Sequence, residues 1–165
     1  RTEKINARTR NATNEPFVLD GTQRVSGVEF GISGLITPAW SVLANFAFMD
    51  SEIVASRNPA EQGQDFALTP ETSATLWSTF TLPMDLSVGG GLQYQDAVFR
   101  NTLNTLAVPG YWLLSATASY PLNQSLSLRL NGDNLTDETY VDRVGGGHYI
   151  PGPRRTVKVS IDVRF

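Results

Sequence analysis

The chain has 165 residues, of which 41% are hydrophobic and 18% are charged, and its formal net charge at pH 7 is -3. That balance gives no electrostatic reason to expect a nucleic-acid partner. The absence of cysteine excludes disulfides, thiolate metal sites and cysteine nucleophiles, and no run approaches the roughly 18 consecutive apolar residues of a membrane-spanning helix.

The first half of the chain alternates between polar segments and predicted strands. Residues 1–10 show only a weak pattern, which we interpret as the end of a truncated strand, and residues 11–23 are rich in Asn, Thr, Asp and Gly, which predicts a loop. Beyond them, apolar side chains recur at every second position, the period of a strand with one apolar face. Predicted strands in this half are Val25–Ile36, Trp40–Ile53 and Thr72–Leu82, and a polar segment covers Ala55–Thr69.

The second half repeats this arrangement. Its predicted strands are Leu86–Tyr94, Tyr111–Tyr120, Ser125–Asn131 and Thr156–Phe165, with long loops over Phe99–Gly110 and Glu138–Pro153. The last strand alternates without a break. Its apolar positions are Val157, Val159, Ile161, Val163 and Phe165, and between them stand Lys158, Ser160, Asp162 and Arg164. If this strand belongs to a membrane β-barrel, we expect the apolar set to face lipid and the polar set to face the lumen of the barrel.

Long and short connections alternate along the chain. Tight turns are predicted at Thr37-Pro38, Pro83–Asp85 and Pro121–Gln124, and all the remaining connections are long. All long loops therefore fall at one end of the strands, as in outer-membrane barrels with short periplasmic turns and long external loops. A soluble β-sandwich would more often mix its loop lengths and use Greek-key crossovers.

Charged side chains avoid the predicted strands. None occurs in residues 40–49, 72–82, 86–95 or 111–128, where the polar positions are mostly Ser, Thr, Gln, Asn and Gly. A soluble sheet usually shows Lys and Glu on its wet face. Aromatic residues stand near strand ends, as interfacial girdles would: Trp40, Phe80, Tyr94 and Tyr120. The pattern favours an all-β, antiparallel up-and-down transmembrane β-barrel over a soluble barrel with its apolar face inward.

Catalytic motifs are lacking. His148 is the only histidine, no G-x-S-x-G sequence occurs, and Asp133–Asp137 lacks the Gly and the distal Glu of an EF-hand loop. We therefore predict that the chain is not an enzyme and that its side chains hold no metal or other cofactor directly.

The long loops combine arginines with aromatic side chains, which suits an anionic aromatic ligand through charge-assisted hydrogen bonds and cation–π contacts. The run Gly145–Gly147 would make its loop mobile, and simple turn geometry remains open as the alternative explanation of these glycines. The candidate ligand contacts at this rim are Arg100, Arg143, His148 and Tyr149. Solvated arginines, or arginines that contact lipopolysaccharide, remain open as alternatives.

Two motifs and the last strand carry a family resemblance. Gly132–Tyr140 contains N-L-T-D-E-T-Y, Pro151–Arg155 reads P-G-P-R-R, and the strand ending at Phe165 follows. In this order they resemble the closing segment of TonB-dependent outer-membrane receptors. Upstream pieces extend the resemblance over about Val25 to Phe165: Gly27–Glu29, Leu76-Trp77 after Thr69-Pro70, and Val108–Tyr111. Asp50–Val54 and Gly145–Pro153 look most like ferric catecholate siderophore receptors.

This resemblance implies a bacterial outer-membrane receptor that binds and imports a ferric siderophore, so that iron arrives as a chelate. It implies a barrel of about 22 strands around an N-terminal plug, of which residues 1–165 would be the C-terminal part, about the last eight strands, without the plug. The implied partners are TonB-ExbB-ExbD acting through the missing N-terminal part, the barrel assembly machinery, and lipid or lipopolysaccharide. A self-contained eight-stranded structural or adhesive barrel and a soluble small-ligand carrier remain open.

The resemblance also implies that the last strand is the signal recognised by the assembly machinery. We expect Phe165→Ala in the full-length receptor to reduce the amount assembled in the outer membrane severalfold, because the terminal aromatic side chain is lost, and to leave the ligand affinity of assembled molecules unchanged. Heat-modifiable gel migration of outer-membrane fractions measures assembly. Normal assembly of the variant would contradict the signal function.

Overall fold

The computed structural model describes residues 1–9, 18–145 and 148–164. In these residues the chain is built from twelve strands and two short 3₁₀ turns, Pro59–Glu61 and Pro83–Asp85. No helix in the described ranges is long and apolar enough to cross a bilayer, a finding that concerns helices alone. The strands are β1 (Thr2–Thr9), β2 (Val18–Thr37), β3 (Trp40–Ala55), β4 (Thr72–Thr81), β5 (Ser87–Gln95), β6 (Val98–Phe99), β7 (Ala107–Val108), β8 (Tyr111–Asn123), β9 (Leu126–Asp133), β10 (Val141–Gly145), β11 (His148–Pro151) and β12 (Thr156–Val163).

Eight of these strands form one antiparallel sheet in the order β1-β2-β3-β4-β5-β8-β9-β12. Two small hairpins, β6-β7 and β10-β11, lie within long connections and do not interrupt the sequential order. The predicted all-β, antiparallel up-and-down arrangement is therefore confirmed. Among the described residues β1 and β12 each pair on one side only, so these eight strands do not close on themselves.

Loop lengths alternate as predicted. The short connections are residues 38–39, 82–86 and 124–125, and the long ones are residues 56–71, 96–110 and 134–155. Because antiparallel neighbours reverse direction at each connection, all three long segments lie at one end of the sheet. We call this end the rim and the other end the turn side.

Several predicted boundaries are wrong. The loop expected over residues 11–23 ends earlier, because β2 begins at Val18 and pairs there with β1; residues 11–17 lie outside the described residues. At Gly21 an added Cβ would come within 2.3 Å of the Thr9 side chain, so the absent side chain permits this close pairing. Within residues 1–9 the strand β1 covers Thr2–Thr9. The expected turn at residues 121–124 is also shifted, since β8 continues to Asn123.

Two of the predicted loops contain further pairing. The segment 99–110 includes β7 and follows the short strand β6, and the segment 138–153 contains the hairpin β10-β11. Both elements are held by main-chain hydrogen bonds within their own connection. A polar, glycine-rich composition correctly indicated connecting segments here, but it did not indicate that they fold back on themselves.

The register places the apolar positions on one face of the sheet. Directly paired residues share a face, and one row across five strands consists of Ile32, Ala44, Leu76, Leu92 and Leu114. Leu76 is 48% exposed and Ile32 is 53% exposed, although both are large and apolar. An exposed, continuous apolar face of this kind suits lipid, so we interpret it as the outward face.

Aromatic pairs border this outward face at two levels. At the turn side Trp40 stacks on Phe80, with ring centroids 5.3 Å apart and an interplanar angle of 9°. Toward the rim Tyr94 packs against Trp112 at 4.4 Å. The row of Trp40 and Phe80 continues to Val88 on β5, six positions from Tyr94, so the two levels lie about 20 Å apart along the strand. Aromatic residues at both borders of the apolar band are expected of an outer-membrane barrel.

The opposite face is mostly polar, and we interpret it as the lumen face. Its central strands carry neutral groups, as in the hydrogen bond from Thr117 Oγ1 to Asn131 Oδ1 at 2.8 Å. Ion pairs occur on the last two strands, where Arg129 lies 3.9 Å from an Asp162 oxygen and Lys158 pairs with Asp133 at 3.8 Å. The outward side of β12 presents Val157, Val159, Ile161 and Val163, which are 53–66% exposed; Phe165 lies outside the described residues.

The assignment of the two faces predicts that an arginine destabilises the barrel much more on the outward face than at the adjacent position on the lumen face. We expect Leu76→Arg to destabilise the full-length barrel by about 2–4 kcal/mol, because it puts a charge near the middle of the apolar band. The adjacent Thr75→Arg is the matched control, since residue 75 belongs to the lumen face. Denaturant unfolding in lipid vesicles measures the difference. Equal losses for the two variants would contradict the assigned faces.

Candidate functional site

Asn134 organises the base of the last long connection. Its side chain is buried, at 4% exposure, and its backbone is left-handed, with φ of 50°. The carboxamide Nδ2 donates to the main-chain oxygens of Glu138 and Pro153 at 2.9 and 3.0 Å, and Oδ1 accepts from the Glu138 N–H at 2.8 Å. One side chain therefore joins the start and the end of the connection.

Asp137 and Arg154 form a second link at this base. Arg154 Nε and Nη2 donate to the two Asp137 carboxylate oxygens at 2.9 and 2.5 Å, a paired geometry that suits a guanidinium. Arg154 also donates to the Thr139 hydroxyl, and the Arg155 N–H donates to Asp137 at 3.0 Å. The Arg154 side chain and then the Arg155 N–H hold the pKa of Asp137 well below its usual range. We call these contacts and those of Asn134 the clamp.

Above the clamp, the hairpin β10-β11 separates the candidate residues onto two faces. Val144 is paired with Tyr149, Arg143 with Ile150, and Gly145 with His148. Since paired residues share a face and neighbours along a strand alternate, Tyr149 lies on one face of the hairpin. Arg143 and His148 lie on the other.

The structure brings Arg100 and Tyr149 together. The guanidinium carbon of Arg100, just after β6, lies 5.1 Å from the centroid of the Tyr149 ring on β11. This is within the range of a cation–π contact. Two different long connections thus contribute one residue each to the same point on the rim, and Tyr149 remains 47% exposed.

Arg143 has a different environment. Its Nε donates to the neighbouring Asp142 carboxylate at 3.1 Å, and its side chain is 76% exposed. An ion pair this exposed contributes little to stability. His148 is exposed on the same face, so the four predicted residues form one contacting pair and one separate, solvent-facing group.

Two cavities between the rim loops differ in size and charge. One, of about 180 Å³, is lined by Leu68, Val98, Val108 and residues 141–144, and it is smaller than the roughly 300–1,000 Å³ of usual ligand pockets. The other measures about 310 Å³ and is lined by four carboxylates, Asp50, Asp65, Glu71 and Asp96. Its charge disfavours an anion, whereas Arg100 beside Tyr149 offers a positive charge.

Metal coordination by side chains has no support in the part of the chain that the structure describes. No group of three or more His, Asp or Glu side chains is placed there to hold a metal ion. The four carboxylates of the acidic cavity do not form such a group.

Comparison with known families decides the classification. A family model described as TonB dependent receptor-like, beta-barrel matches residues 2–135. The chain belongs to this family. The resemblance seen in the sequence motifs is thereby confirmed, and the sheet is part of the wall of a β-barrel in a bacterial outer membrane.

Individual relatives support this classification. The chain is 35% identical over 156 residues to the "Probable TonB-dependent receptor BfrD" of Bordetella pertussis. The alignment covers 88% of this chain and 21% of the relative. It is 33% identical over 152 residues to the "Catecholate siderophore receptor Fiu" of Escherichia coli K12. That alignment covers 88% of this chain and 20% of the relative. The chain thus spans about a fifth of the length of these curated relatives.

A solved structure gives the same fold. The crystal structure of the siderophore receptor PiuA from Acinetobacter baumannii aligns with a TM-score of 0.90 at 30% identity, over 98% of this chain and 24% of the receptor chain.

The clamp explains the motifs that carried the resemblance. In N-L-T-D-E-T-Y, Asn134 and Asp137 hold the connection, and Tyr140 packs on Tyr111 with ring centroids 4.4 Å apart. In P-G-P-R-R, an added Cβ at Gly152 would fall 2.0 Å from the Tyr140 ring. These residues therefore build the base of the loop. Their positions in the sequence gave no indication of this role.

The clamp predicts that Asn134→Ala loosens the hairpin above it. The change removes three hydrogen bonds, with a loss of about 1–3 kcal/mol, and forces alanine into a left-handed conformation at a further cost of about 1–2 kcal/mol. We expect amide hydrogen exchange in residues 138–145 and 148–153 of the full-length receptor to become at least about tenfold faster.

Asn134→Gly separates the two causes, since glycine tolerates the positive φ while losing the same hydrogen bonds. It should show a smaller acceleration than Asn134→Ala. Wild-type exchange rates in both variants would contradict the clamp.

Proposed function

We propose that this chain is the C-terminal wall and outer rim of a TonB-dependent receptor that binds a ferric siderophore, of catecholate type, and imports it. The contact between Arg100 and Tyr149 carries the proposal at the level of the site. A guanidinium stacked on a phenol ring presents positive charge beside an aromatic surface, and a ferric catecholate offers the complementary anionic oxygens and aromatic rings. The iron is cargo, held by its chelator.

Transport is a property of the whole receptor. In this proposal a preceding segment supplies the plug domain, and the TonB-ExbB-ExbD system delivers energy through that segment. The outward apolar face of the present strands contacts lipid and lipopolysaccharide, and the last strand is recognised by the barrel assembly machinery. The catecholate preference rests on the names of similar receptors, among them Fiu, and on the pairing at the rim.

Neither alternative has a supporting observation of its own. A self-contained eight-stranded barrel needs β1 to pair with β12, and the described residues do not show that pairing. A soluble carrier lacks support because the chain matches the family model of TonB-dependent receptor β-barrels.

The proposal predicts that Arg100→Gln in the full-length receptor weakens binding of iron(III) tris(catecholate) at least about tenfold. The loss of one charge-assisted contact costs about 1.5–3 kcal/mol, and each 1.4 kcal/mol corresponds to a factor of ten in affinity. Tyr149→Leu should give a similar loss, because it removes the ring and keeps an apolar side chain. Titration of tryptophan fluorescence in the purified receptor measures the affinity.

The matched control is Arg57→Gln. Arg57 belongs to another long connection and pairs with Asp20 at 2.6 Å, so the variant loses the same rim charge at a different place. Its affinity should stay within about twofold of the wild type. Unchanged affinity in Arg100→Gln and Tyr149→Leu would confine this segment to a structural role.

A further inference from the structure

Arg100 stands at the start of a tight loop formed by residues 100–106, between β6 and β7. The Arg100 N–H donates to the Leu106 carbonyl at 2.7 Å and closes the loop. Asn101 Oδ1 accepts from the N–H groups of Thr105 and Leu106 at 3.1 and 3.2 Å, and its Nδ2 donates to the Thr105 hydroxyl at 2.8 Å. The main chain beside Arg100 is therefore fixed by its own loop.

Asn104 fixes this loop to a neighbouring connection. Its Oδ1 accepts from the Asp65 N–H at 2.7 Å, and its Nδ2 donates to the Asp65 carbonyl at 3.2 Å. The carboxamide thus satisfies both main-chain groups of Asp65, as an adjacent strand would. Its Nδ2 also donates to the Asn101 carbonyl at 3.3 Å. The backbone of Asn104 is left-handed, with φ of 54°, a conformation that asparagine adopts more readily than most residues.

Other hydrogen bonds join the same two connections. The Thr102 hydroxyl donates to Glu61 at 2.8 Å, and Glu61 also accepts from Ser56 at 2.6 Å within its own connection. The Leu68 N–H donates to the Phe99 carbonyl at 2.7 Å. Among these contacts between the loop 100–106 and the connection 56–71, Asn104 is the residue whose side chain both donates to and accepts from the main chain of one residue, Asp65.

We propose that Asn104 is a positioning residue for ligand binding: by docking the loop 100–106 onto the connection 56–71, it holds Arg100 over Tyr149. The proposal rests on the proposed function, and it adds that the rim contact depends on a side chain that does not touch the ligand. Arg100 lies four residues before Asn104, and the hydrogen bonds of Asn101 and Leu106 transmit the position of the loop tip to it.

The ligand class follows from what the docking fixes. A guanidinium held over a phenol ring has a defined plane and distance, so it favours a rigid anionic ligand with flat aromatic groups over a flexible anion of the same charge. Loss of docking should therefore weaken binding of iron(III) tris(catecholate) more than binding of ferric citrate, an anion without aromatic rings.

The test uses Asn104→Gly in the full-length receptor, because glycine keeps the positive φ and loses only the side-chain bonds. We expect affinity for iron(III) tris(catecholate) to fall about fivefold to tenfold, and exchange of the Asp65 amide hydrogen to become faster. The matched control is Leu103→Ala, at the same loop tip but without a polar group, which should leave both quantities within about twofold of the wild type.

A double-mutant cycle distinguishes positioning from general loosening. If Asn104 acts through Arg100, Asn104→Gly should cost less than about twofold in affinity when Arg100→Gln is already present, because the positioned group is gone. Equal losses in the two backgrounds would overturn the positioning role, and so would an effect no larger than that of Leu103→Ala.

Failure of the proposed function has a different signature. If Arg100→Gln and Tyr149→Leu bind iron(III) tris(catecholate) as tightly as the wild type, the ligand site itself is misplaced and the inference falls with it. If Arg100→Gln weakens binding and Asn104→Gly does not, the proposed function stands and only the positioning role is overturned.

Discussion

The structure depends on main-chain hydrogen bonding in a continuous sheet. Hydrocarbon offers no partner for an N–H or C=O group, so each inner strand must pair on both sides. That pairing also fixes the register, and the register decides which side chains meet lipid. A slip of one residue in β4 would turn Leu76 toward the lumen and Trp77 toward lipid. The short connections limit such slips at the turn side, and the long connections at the rim are free to form other structures.

Asparagine has the same physical task at two places on the rim. Asn104 and Asn134 both have positive φ, and each carboxamide bonds main-chain groups that lie outside the regular ladder. A side chain with one acceptor and two donors can replace a short stretch of strand where the chain must turn. The long connections thereby acquire defined shapes although few of their apolar residues are buried, and they can hold functional side chains at fixed positions.

The candidate site combines residues from two such connections. Arg100 and Tyr149 meet because the loop 100–106 is hydrogen-bonded to the connection 56–71 and the base of the hairpin β10-β11 is held by the clamp. The hairpin also separates the site, since Arg143 and His148 lie on the face opposite Tyr149. A ligand at Arg100 and Tyr149 reaches the other pair only around the edge of the hairpin.

The sequence alone determined the all-β class, the order of the main strands, the lipid face and the family, because a period of two and an alternation of loop lengths are local properties. It also indicated Arg100 and Tyr149 as candidates. It did not indicate that Val18 to Gln23 is strand, that Asn104 docks one loop on another, or that Arg143 and Tyr149 lie on opposite faces. Those features arise from pairing between residues far apart in the chain, where the tertiary register decides which groups meet.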